Sequence, residues 1–197
     1  MRAWPLDPRW LTTIDGVARR VLGPFDRTGE PLVHEIRQLS ERYTRRGGAI
    51  RDAAVERAAR LRFFVPRDLP KVMGPLAELA DGQALPKSQR WRVLDLGAGL
   101  GTTSLGAAAF AAKLSSPPEG LDVIAVEREA ALLDGMRALA DAATRDGLIV
   151  PMTLRAQSLD LTRGELPSGT FDLILLGLSL NELWQDEPCL LYTSRCI

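Results

Sequence analysis

The rhythm of apolar and polar positions changes once along this 197-residue chain. Up to about residue 80, apolar residues recur every three or four positions, the period of a helix with one buried face. From about residue 90 they come in short continuous runs, each followed by a helix-spaced stretch. In the first part, residues 9–22 read as a helix stopped by Gly23-Pro24. Pro31 opens a second, with Leu32, Val33, Ile36, Leu39 and Tyr43 on one face and Gly47-Gly48 ending it. A third covers Ala49 to Phe64, with Ala53, Ala54, Ala58, Leu61 and Phe64 available for packing. Val65-Pro66-Arg67-Asp68-Leu69-Pro70 reads as a break. After it, Asp68 can cap a helix with Pro70 in its first turn, running to about Ala80, in which Pro75 predicts a kink or an early stop. A polar linker, Asp81 through Ser88, closes this part.

The second part alternates strand and helix. Val93-Leu94-Asp95-Leu96, Leu121 to Glu127, Leu148 to Leu154 and Phe171 to Leu178 read as buried strands. Thr102 to Leu114 and Arg128 to Asp146 read as the helices between them, the second facing inward with Leu132, Leu133, Met136, Leu139 and Ala143. Pro151 removes a ladder donor and belongs at a sheet edge. The order strand, helix, strand, helix, strand predicts a doubly wound α/β sheet behind an N-terminal helical region. The expected boundaries are 1–85 for the helices, 90–188 for the sheet domain and 189–197 for a tail.

The candidate chemistry sits where the first strand ends. Asp95-Leu96-Gly97-Ala98-Gly99-Leu100-Gly101-Thr102 places an acid ahead of three alternate glycines and a helix start. Glycines let backbone N–H groups approach a ligand closely. A dinucleotide fingerprint needs G-x-G-x-x-G, and its third glycine position is Thr102 here. An acid heading the loop repels a pyrophosphate but suits a cationic amino-acid moiety, so Asp95 is expected to accept from amine or hydroxyl donors. A glycine turn without a ligand is the other reading of the same residues. Glu127, ending the second strand, is a second acid at the same level.

This loop resembles the first motif of the class I S-adenosylmethionine-dependent methyltransferases. The resemblance implies S-adenosylmethionine as cofactor, bound by Asp95, Gly97, Ala98, Gly99, Gly101 and Thr102. It further implies Glu127 on the ribose hydroxyls, Ser158 and Leu159 beside the adenine, and the strand order 3-2-1-4-5-7-6, with the third strand at the edge. Asp160, just beyond, is equally well a solvated loop acid or an N-cap. Leu61 to Val72 and Pro75-Leu76-Ala77-Glu78-Leu79 ahead of the glycines, with Leu178-Ser179-Leu180-Asn181-Glu182-Leu183 after the fourth strand, narrow the likeness. They resemble the small-ribosomal-subunit methyltransferase-like family, mitochondrial ribosome assembly factors and their bacterial relatives. That resemblance implies a protein of the small ribosomal subunit or its rRNA, acting in assembly or translation. Asn181 and Glu182 can orient a substrate or act as base, or can simply start the next helix. A non-catalytic assembly factor using the fold as a scaffold is the competing reading.

Charge is balanced overall but split. Residues 1–89 carry 16 Lys/Arg against 11 Asp/Glu, and residues 90–197 carry 9 against 14. An Arg-rich helical half suits RNA phosphates, or is only a solvated face. No DNA partner is expected. Both cysteines, Cys189 and Cys196, fall in the last nine residues, so no disulfide or cysteine metal site is argued and no metal ligand is assigned. Cys189-Leu190-Leu191-Tyr192-Thr193-Ser194 is what TGT-CTC-TTA-TAC-ACA-TCT encodes. That DNA resembles a transposon mosaic end used in sequencing libraries, so the tail is expected to be non-native and the chain a fragment. His34, the sole histidine, reads as a packing or surface residue, and Trp4, Trp10 and Trp91 as packing anchors. No apolar run is long enough to cross a membrane, which makes a cytoplasmic protein the expectation.

Overall fold

Alternation along four strands decides how the molecule is layered. A computed structural model describes residues 4–44 and 53–177, with the side chains of 42–44 and 53–55 left aside. Strands β1 (Arg90–Leu96), β2 (Gly120–Glu127), β3 (Met152–Ser158) and β4 (Leu173–Leu175) form one parallel sheet in the order 3-2-1-4. Trp91, Val93, Leu121, Val123, Ala125, Met152, Leu154 and Leu173 share one face and one core. Helices α6 (Thr102–Ala111) and α7 (Ala130–Arg145) cover that face. Leu94, Leu96 and Val126 share the other, where Ile124, Leu159, Leu161 and Phe171 make a smaller cluster. The expected doubly wound α/β order is present.

Helix α6 is rich in alanine, and this lets it lie close on its neighbours. Ala107, Ala108, Ala109 and Ala111 are all buried. On α7, the five residues expected to face inward are all buried. The third strand is the edge, as expected, but it starts at Met152 and not at Leu148. Leu148, Ile149 and Val150 are buried as a loop, and the carbonyl of Pro151 accepts the Leu121 N–H at 2.9 Å. The proline thus stands just outside the ladder and gives it only an acceptor.

Most buried residues of the N-terminal helices pack into the same core as the sheet, while Leu39, Ala59 and Phe64 form a cluster of their own. Helix α1 (Arg9–Leu22) runs over the range expected and inserts Trp10, Ile14 and Val17. Thr13 ties it to α7 by donating to Asp146 at 2.5 Å. Trp91 is also buried, and Trp4 meets Phe110 edge-on at 5.7 Å. Helix α2 (Gly29–Thr44) buries Leu39, but Val33 is 45% exposed, off the face the spacing assigned to it. His34 is exposed, with Gln38 at 2.8 Å.

The expected break at residues 65–70 is absent. Helix α3 (Ala53–Ala59) passes into a π-helical stretch, Arg60–Phe64, then into α4 (Val65–Asp68), a 3-10 turn, Leu69–Val72, and α5 (Met73–Asp81). Each proline lies in the first turn of its segment. Pro66 and Pro70 lie in the first two positions of their segments, and Pro75 is in the first turn of α5, which continues past it to Asp81. Asp68 caps nothing. It is buried and paired with Arg67 at 2.6 Å and Lys71 at 2.8 Å, while Arg67 lies 4.3 Å over the Phe64 ring. Arg62, on the π stretch, grips Asp26 with two N–H groups at 2.7 and 2.6 Å and Asp15 at 2.6 Å.

Candidate cofactor site

In an open parallel sheet, ligands bind beyond the strands' C-terminal ends, where the strand order reverses. Here the chain winds from β1 outward to β3, then crosses back to place β4 on the far side of β1. The reversal therefore lies between β1 and β4. The glycine loop leaves β1 at that point.

Gly97, Gly99 and Gly101 have φ of 69°, 55° and 77°, a left-handed backbone that explains glycine at all three. The three are not equivalent. Gly97 and Ala98 spend their N–H groups on the Val126 carbonyl, both at 2.9 Å. Gly101 donates to Ala98 at 2.7 Å and accepts from Leu105 at 2.8 Å, starting α6 at Thr102. A Cβ on Gly101 would lie 2.5 Å from Met136, so α7 closes that position. A Cβ on Gly99 would meet nothing within 4 Å. The loop is open at Gly99.

Asp95 is wholly buried. Strand alternation turns it toward the helix-covered face with Val93, under α6 and away from the rim. Ser104 of α6, also wholly buried, donates its hydroxyl to Asp95 Oδ2 at 2.5 Å. The other oxygen, Oδ1, is buried without a partner among the described residues. Burial pushes this carboxyl up to about 6; the Ser104 bond opposes the rise and the nearby charge of Glu127 adds to it. Ser104 is the residue that sequence reasoning missed. Nothing in a Thr/Ser/Ala-rich helix marks the one hydroxyl that will land on a strand nine residues earlier.

Glu127 reaches across from β2 to the loop. Its Oε2 accepts the Gly99 N–H at 2.9 Å and its Oε1 the Glu129 N–H at 3.0 Å. Its own carbonyl accepts the Leu159 N–H at 3.0 Å, which brings the end of β3 alongside. Ser158 is exposed and donates to the Arg128 carbonyl at 3.0 Å. The loop, Glu127, Ser158 and Leu159 thus stand along one rim, with Asp95 beneath it. Asp160 is in a local turn, accepting from the Thr162 N–H at 2.9 Å and its hydroxyl at 2.6 Å, bonds that hold its carboxyl below the usual range. Gly177, just past β4, abuts Thr103 in the first turn of α6. Asn181 and Glu182 lie outside the described residues, as does the 189–197 tail.

No family model matches the chain, and no curated protein matches it. Among solved structures, coclaurine N-methyltransferase bound to N-methylheliamine and SAH matches 87% of this chain and 51% of its own, at 19% identity and a TM-score of 0.34. The chain spans about half the length of that protein. Among the described residues no group of three or more His, Cys, Asp or Glu is placed to hold a metal, and no helix is long and apolar enough to cross a membrane.

Proposed function

We propose that this chain is the cofactor-binding part of an S-adenosylmethionine-dependent methyltransferase that acts on the small ribosomal subunit or its rRNA. One observation carries the cofactor reading. A buried carboxylate with an unpartnered oxygen lies under a glycine loop that is open at Gly99, at the reversal point of the sheet. An unpaired buried acceptor is costly, and a donor from a ligand relieves that cost. A negative charge there selects for an ammonium group and against a pyrophosphate. Glu127, already oriented by two backbone N–H groups, keeps lone pairs for a vicinal diol. Leu159 offers apolar contact at the same rim. These donors and acceptors fit the amino-acid, ribose and base parts of S-adenosylmethionine. When bound, that cofactor supplies a methyl group on a sulfonium for in-line displacement. The chain's task is to hold the donor in line and exclude water.

The ribosomal reading rests on the resemblance of residues 61–79 and 178–183 and on the Arg-rich helical half. Calorimetry of the full chain with S-adenosylmethionine, with Asp95→Ala beside it, tests the cofactor site. Binding by the parent chain and its loss in the variant are expected. Absence of binding by the parent chain refutes the cofactor site. Co-sedimentation with small ribosomal subunits and methyl incorporation into their rRNA test the substrate. Association without incorporation supports the scaffold reading instead.

A further inference from the structure

A serine inside a helix ordinarily turns its hydroxyl to water or back to the carbonyl four residues earlier. Ser104 does neither. It is wholly buried on an alanine-rich helix and donates a hydrogen bond to Asp95 on the neighbouring strand. It thereby engages Oδ2, and Oδ1 is left without a partner among the described residues. We propose that Ser104 is a positioning residue for a cationic ligand of the glycine loop, holding the Asp95 carboxylate ionised and setting the pH above which that ligand binds. The inference rests on the reading that the loop takes S-adenosylmethionine, whose α-ammonium is the cation.

The groups that act on Asp95 are few. Burial and the Glu127 charge from β2 favour its protonated form, and Ser104 from α6 favours the ionised one. Its partner in register on β4 is Leu175, which is apolar. A protonated Asp95 has lost the charge that pairs with an ammonium, so binding of the cation must release that proton. Affinity therefore falls on acidification, by about tenfold per pH unit below the Asp95 midpoint. Ser104→Ala removes the hydroxyl bond, the larger of the two Ser104 interactions that oppose the rise, and keeps the backbone one, so the midpoint moves to higher pH.

Calorimetry with S-adenosylmethionine from about pH 5 to about pH 7.5 stays below the range where the ligand's own α-amino group titrates. Three full chains are compared: the parent, Ser104→Ala and Asp95→Asn. The parent is expected to lose affinity on acidification with its midpoint near the Asp95 value. Ser104→Ala should shift that midpoint upward and retain near-parental affinity at the alkaline end, and Asp95→Asn, lacking the charge, should bind no better than the parent at its acid limit and with no slope. The Asp95 carboxyl carbon, followed by NMR in the ligand-free parent and in Ser104→Ala, should show the same upward shift. A Ser104→Ala chain weakened by one factor at every pH, with an unmoved carboxyl titration, overturns the proposal and makes the serine structural. Binding by the parent with a flat profile also overturns it while leaving the cofactor site standing. No binding at any pH refutes the cofactor site itself, and the NMR titration alone then decides whether Ser104 controls Asp95.

Discussion

Two helical glycines test the packing of the helical half on the sheet domain, because the same substitution should act on them with opposite sign. Gly16 lies on the exposed side of α1 with ordinary negative φ, and a Cβ there would meet nothing within 4 Å. Gly106 lies in α6 against the 3-10 turn. A Cβ there would overlap the Leu69 carbonyl oxygen and come within 2.6 Å of Val72 Cγ1. Alanine in a helix interior gains about 0.5–1 kcal/mol over glycine by restricting the unfolded chain. Gly16→Ala keeps the whole gain, and at the sensitivity of a domain this size its melting temperature should rise by about 2–3 °C. Gly106→Ala has the same gain, set against overpacking of roughly 1–3 kcal/mol or more. The upper end applies because the obstructing atom is backbone. The net expectation is a loss of about 2 kcal/mol and a fall of roughly 4–8 °C. Thermal and urea melts followed by circular dichroism measure both, with an unchanged urea slope confirming that the transition itself is the same. If Gly106→Ala is as stable as Gly16→Ala, then α6 and Leu69–Val72 do not approach as described.

Two further outcomes follow from buried charge. Arg62→Ala strips the shared partner from Asp15 and Asp26, and should cost about 2–3 kcal/mol in a urea melt, below the fully buried figure because Asp15 is partly solvated. Arg62→Lys should recover only part of this, since an ammonium cannot reproduce the two-pronged grip on Asp26; full recovery would show that only charge matters there. For Asp95, the folded value of about 6 lies above the usual 3.8. The folded state therefore holds a proton between about pH 4 and 6 that the unfolded state has released, and the stability this gives is full below that window and lost as pH rises through it. Asp95→Asn should then stabilise the ligand-free chain at pH 7.5, by on the order of 3 kcal/mol, and change little at pH 4. Equal effects at both pH values in thermal melts would contradict the buried-charge account.

Local chemistry was legible wherever a rule acts within a few residues. Gly23-Pro24 stops α1 because one residue frees the backbone and the next removes a donor. The glycines at 97, 99 and 101 were correctly read as a turn, since only such residues take that backbone cheaply. Pro70 falls in a first turn, as its spacing predicts, whereas the break expected at Pro66 and the early stop expected at Pro75 do not occur. Three prolines between residues 66 and 75 each fall in a first turn, and the chain advances from helix to π to helix without leaving the helical region. A proline forbids one hydrogen bond. Whether that bond was needed depends on where the preceding segment ended, which neighbours decide.

The sequence by itself determined the strand and helix order and the acid-headed glycine loop, because periodicity and turn chemistry are short-range constraints; the 3-2-1-4 arrangement of the strands was expected only through the family resemblance, and the structure supplies it. Only the tertiary structure decided the electrostatic character of the site. Asp95 and Glu127 look alike as strand-terminal acids, yet one is buried under α6 and accepts from Ser104 while the other bridges two loops at the rim. Likewise Gly99 opens outward while Gly101 is closed by Met136. These differences arise from which helix lies over which strand end, and that follows from the summed burial of the whole core rather than from any residue of the motif.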